Sequence, residues 1–88
     1  MMDVKDGVEP EIVESLRRDF PMLTAGQLKM ASMIIIGADN RLIARTLNIS
    51  AESVWKGRYR LRQRLGLDNS VKLEDYLRDY ARSHRSRL

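Results

Sequence analysis

The sequence predicts an all-α fold, a compact bundle of about five helices built around a central helix-turn-helix corner. Three observations point there. Apolar residues recur at intervals of three and four through successive segments, the spacing of a helix that buries one face. Helix-starting residues (Thr24, Asp39, Ser50) and helix-stopping residues (Gly37, Asn48, Gly66) punctuate those segments. Aromatic residues are only 6% of the chain against 43% apolar, so the core is one of Leu, Ile, Val, Met and Ala, which suits packed helices. The 88 residues have room for one core. One domain is therefore expected over residues 9–83, between a flexible N-terminus (1–8) and a flexible basic tail (84–88).

Pro10 sits where a first helical turn tolerates proline, because its missing N–H would have had no partner. The first helix is predicted over about residues 10–19: Ile12, Leu16 and Phe20 recur every fourth position beside Val13, and Pro21 ends it. Thr24-Ala25-Gly26-Gln27 has the form of a capping box, in which the Thr hydroxyl and the Gln side chain each satisfy a backbone donor at a helix start. The second helix follows to about Ile36. Leu28, Ala31, Ile34 and Ile35 share a face, and Met30, Met33 and Ile36 make it apolar nearly all round, so it is predicted to be the most buried, with Gly37 as its stop.

Asp39 caps a short third helix whose Leu42, Ile43 and Leu47 face inward while Arg41 and Arg45 face outward. Asn48 supplies a left-handed exit and Ser50 caps again, so Asn48-Ile49-Ser50 reads as a three-residue turn, with Ile49 expected to plug the core at the corner. The fourth helix spans about residues 51–65. Sorted at about 100° per residue, Val54, Leu61 and Leu65 fall on one side. Glu52, Lys56, Tyr59 and Gln63 fall opposite, Arg60 borders them, and Trp55 and Arg62 lie on the flank. Gly66 ends that helix, Asp68-Asn69-Ser70 makes a capped turn, and a fifth helix is predicted from about Val71 to Ser83 with Leu73, Leu77 and Tyr80 on one stripe beside Tyr76. From Arg82 onward the chain loses apolar periodicity and is expected to fray.

Composition narrows the function. There is no cysteine and one histidine, His84, which excludes disulfides and thiolate metal sites and leaves His84 an exposed bystander. No nucleophile-base pair, metal-ligand spacing or glycine-rich phosphate loop is present, so neither an enzyme nor a cofactor is expected. No run approaches the ~20 apolar residues of a membrane span and the acidic start is unlike a signal peptide, so a cytoplasmic protein is expected. The formal net charge of +4 is unevenly spread. Acids dominate the first twenty residues, whereas Lys56 to Arg64 holds five basic residues and no acid.

A helix fits the major groove of B-DNA, and a tight corner lets its first helix cross the backbone while the second aims its N-terminal half at base edges. The order found here, a short capped helix, a three-residue turn and a longer basic helix, meets that requirement. The residues go further: Leu23-Thr24 with Gln27, Gly37 with Asn40-Arg41 and Ile43-Ala44, Leu47 with Ile49-Ser50, and Ser53-Val54 through Leu65-Gly66-Leu67 resemble the LuxR/GerE-type DNA-binding domain. The resemblance covers roughly Leu23 to Tyr80. Arg58-Tyr59-Arg60-Leu61-Arg62 ahead of Leu65-Gly66-Leu67 is most similar to C-terminal effector domains of repeat-containing and hybrid two-component sensor regulators. It implies a helix-turn-helix of the winged-helix-like class without an expected wing.

By that resemblance Trp55, Lys56 and Tyr59 face bases, Gln63 adds an amide to the same face, and Arg41, Ser53, Arg58, Arg60 and Arg62 are candidates for phosphate contact. The implied partners are double-stranded DNA, RNA polymerase, and a second copy held through the last helix by Leu73, Leu77 and Tyr80. Two positions depart from the family pattern: Gln27 replaces the usual Glu, and Gly57 replaces a common His. A glycine inside a helix costs about 1 kcal/mol relative to Ala, so close packing or close backbone approach is expected there. Packing roles compete with contact roles: Trp55 beside Val54 leans toward packing, and Arg58 and Arg62 can pair with Glu74 or Asp75. Two other functions compete with sequence-specific regulation: a protein-interaction or adaptor module docking an acidic partner on the basic face, and a sigma-like promoter-reading domain.

Overall fold

The computed structural model describes residues 10–84, which form five helices: α1 (Pro10–Asp19), α2 (Ala25–Ile35), α3 (Asn40–Leu47), α4 (Ala51–Leu65) and α5 (Leu73–His84). Among the described residues there is no strand, so no wing accompanies the corner. Of the segments expected to be flexible, 1–8 and 85–88 lie outside the described residues, whereas His84, the first residue of the expected tail 84–88, belongs to α5. Because α2 is apolar on most of its circumference, it can serve several neighbours, and α1, α4 and α5 all pack against it while α3 packs against α4. The innermost side chains come from every helix: Ile12 and Leu16, Ala31 and Ile34, Ile43, Val54 and Leu61, and Leu77. No helix among the described residues is long and apolar enough to cross a membrane.

Local chemistry accounts for the boundaries. The capping box forms in full, Gln27 N–H donating to Thr24 Oγ1 at 3.1 Å and Thr24 N–H to Gln27 Oε1 at 2.9 Å. Asp39 Oδ1 accepts from Leu42 N–H at 2.9 Å to start α3, and Ser50 Oγ accepts from Ser53 N–H at 3.0 Å to start α4. The ends of α2, α3 and α4 share one device. Gly37, Asn48 and Gly66 have positive φ, and the next residue's N–H reaches back to a carbonyl five positions earlier: Ala38 to Met33, Ile49 to Ala44, Leu67 to Arg62.

Four expectations need correction. α5 begins at Leu73 rather than Val71, because the Asp68 carboxylate bonds both the N–H and the hydroxyl of Ser70 and Arg62 takes the Val71 carbonyl. Its far end runs on through Arg82 and Ser83 to His84, held by the His84 ring stacked on Tyr80 at 4.0 Å. Ile49 does not plug the corner; it is 38% exposed, and Ile43, Val54 and Leu61 close the core instead. Leu73 and Leu77 are buried within the monomer and Tyr80 is half-buried against Asp19 and His84, so this stripe is not free to hold a second copy. In so small a domain the core needs every leucine that α5 can offer.

Candidate nucleic-acid interface

The corner displays the full length of α4. With Val54 and Leu61 turned inward, the opposite arc is exposed: Ser53, Trp55, Lys56, Tyr59, Arg60 and Gln63 all lie open to solvent. Trp55, 67% exposed, is an outward side chain and not the packing residue its neighbour Val54 suggested. Tyr59 is 57% exposed one turn further on, and the Gln63 amide donates to its hydroxyl at 3.3 Å. Lys56 Nζ lies 3.4 Å from the Glu52 carboxylate, an exposed pair of little stabilising value that a stronger anion can displace. The side chain of Arg60 has no ion-pair or hydrogen-bond partner among the described residues, and the same holds for the side chains of Arg41 and Arg45 on α3.

Two of the expected phosphate-contacting arginines point elsewhere. Arg58, with only 17% of its side chain exposed, pairs with Glu74 at the start of α5. Arg62 donates to the carbonyls of Val71 at 2.6 Å and Asp68 at 2.5 Å. Together they tie the interface helix to the segment that follows it. Arg64 does the same on the far side, donating to the Met22 carbonyl at 2.9 Å, a contact between positions 42 apart that nothing local in the sequence announces. Of the basic run Lys56 to Arg64, Lys56 and Arg60 therefore remain for an outside partner.

The electrostatics of this frame agree with its geometry. Glu74 is held below the usual carboxylate range by its own backbone N–H and by the Arg58 guanidinium. Asp68 is held low first by the Ser70 hydroxyl and then by the Ser70 N–H and the Arg62 charge. Both carboxylates stay ionised, so they keep the turn and Arg58 in place. Gly57 lies on the border between the exposed arc and α2, where an added Cβ would meet Met30 Cε at 2.7 Å and Sδ at 3.1 Å. Close helix packing is thus what the glycine permits.

A capped three-residue corner whose second helix presents a basic, aromatic face defines a helix-turn-helix domain. The profile of the luxR family of bacterial regulatory proteins (GerE) matches residues 21–77, from before α2 to within α5, and the chain belongs to that family. It is accordingly a DNA-binding domain of the transcription-regulator class. Searches of curated proteins and of solved structures return no significant match. Helix α1 lies outside the matched segment.

Proposed function

We propose that this domain binds duplex DNA sequence-specifically with α4 in the major groove. Trp55, Lys56, Tyr59 and Gln63 read base edges, while Arg60, Ser53 and Arg41 meet the phosphates alongside. The observation that carries this reading is the exposed arc of α4, which keeps Lys56 and Arg60 available while Arg58, Arg62 and Arg64 brace the helix from its margins. Phosphate contacts supply salt-dependent affinity and base contacts supply discrimination, so the two groups separate by experiment. The domain then acts on transcription by recruiting or blocking polymerase at the site it occupies.

The test is a titration of the 88-residue protein against a selected duplex and against unrelated DNA at several salt concentrations. Arg60→Ala is expected to weaken both and lower the salt slope by about one unit, whereas Lys56→Ala narrows the difference between them. Arg62→Ala is expected to lower stability by about 1–3 kcal/mol through two lost carbonyl bonds and to leave the slope unchanged. Binding that ignores salt, or an Arg62→Ala slope that falls as far as that of Arg60→Ala, would overturn the assignment.

A further inference from the structure

The aromatic side chains of the exposed arc allow one step beyond the proposed function, and that step rests on α4 being a major-groove helix. Trp55 and Tyr59 expose 67% and 57% of their surface one turn apart, among polar and charged neighbours. Holding two large rings in water is unfavourable, and apolar surface collected in one place marks a contact site. Phosphates have no use for such a surface, since charged and polar groups contact them. A base edge in the major groove carries donors, acceptors and a single apolar group, the C5-methyl of thymine.

Placement favours the same target. Trp55 is the fifth residue of α4, in the half of the helix that a helix-turn-helix corner aims at base edges. The indole has one N–H donor and is otherwise apolar, so it cannot imitate an amide or a guanidinium in pairing with a purine. Tyr59 already receives the Gln63 amide on its hydroxyl, and its ring remains to extend the apolar surface.

We infer that Trp55, backed by Tyr59, is a thymine-methyl reader, so that the domain prefers sites with a thymine under Trp55 and identifies it by its methyl group rather than by a hydrogen bond. Deoxyuridine pairs as thymidine does and lacks only this methyl. The experiment selects preferred duplexes from a random pool with the 88-residue protein and then replaces each thymine of the selected site, one at a time, by deoxyuridine. Loss of one methyl contact is expected to weaken wild-type binding about fourfold at one or two positions. The Trp55→Ala variant, whose fold is checked by its thermal melt, is expected to bind the thymine and uracil forms equally. A selected motif without thymine, or uracil forms bound as tightly as thymine forms by the wild type, would overturn the methyl-reading role and leave duplex recognition standing. Failure to bind any duplex would overturn both.

Discussion

At Gly57 two opposed terms meet on one carbon. Replacing a mid-helix glycine with alanine gains about 1 kcal/mol of helix propensity, but the new methyl would sit 2.7 Å from Met30 Cε. That atom is the free end of a flexible side chain, so Met30 can turn aside at modest cost even though the residue is 94% buried (6% exposed). Gly57→Ala is therefore expected to leave stability within about 1 kcal/mol of wild type. Met30→Ala alone is expected to cost about 2–5 kcal/mol for the cavity it opens. In the double variant the alanine methyl partly fills that cavity, so the measured loss falls short of the sum, which denaturant melts of the four proteins would show. Strict additivity would mean that the two side chains do not share this space. The sequence announced a packing demand at Gly57 through its propensity cost, yet Met30 as the partner came only with the crossing of α2 and α4.

Among the elements, the boundaries that the sequence made legible are those set by local hydrogen bonds. Thr24, Asp39 and Ser50 are read as caps because their acceptors reach backbone donors three residues on. The start of α5 lies at Leu73 and not at the expected Val71, because a residue of the preceding helix, Arg62, takes the Val71 carbonyl that a helix would have used. Gly66 and Asn48 allow a test of the ends. Both hold positive φ, 73° and 59°. Nothing lies within 4 Å of a Cβ added at Gly66, so Gly66→Ala carries only the backbone cost of the left-handed region, about 1–2 kcal/mol. Asn48→Gly is expected to be close to neutral, since glycine accepts that conformation freely. A Gly66→Ala protein that melts at the wild-type temperature would show that the end of α4 rearranges instead.

Over the whole molecule, the order of the helices was readable and the contacts that close the bundle were not. Asp19 ends α1 and Tyr80 lies 61 positions later on α5, and the Tyr80 hydroxyl donates to Asp19 Oδ2 at 2.7 Å. No local pattern could pair them, because the contact exists only once both helices lie against α2. The same pairing sets the response to pH. Asp19 is held below the ordinary carboxylate value mainly by the Tyr80 hydroxyl, Asp68 mainly by the Ser70 hydroxyl, and Glu74 mainly by its own N–H. In each case the folded state favours the ionised form. Their stabilisation is therefore complete above the unfolded carboxylate range, about pH 4, and is lost as pH falls through and below it. Tyr80 shifts the other way, raised by burial and then by Asp19. Its contribution is complete below the ordinary phenol value, about pH 10, and is lost as pH rises through the higher folded value. The melting temperature is expected to form a plateau through neutral pH and to fall on the acid side below about pH 4. Tyr80→Phe removes the main cause of the Asp19 shift, so its acid-side fall should be shallower than that of the wild type. Parallel acid limbs in the two proteins would mean that the Asp19–Tyr80 bond does not persist in solution.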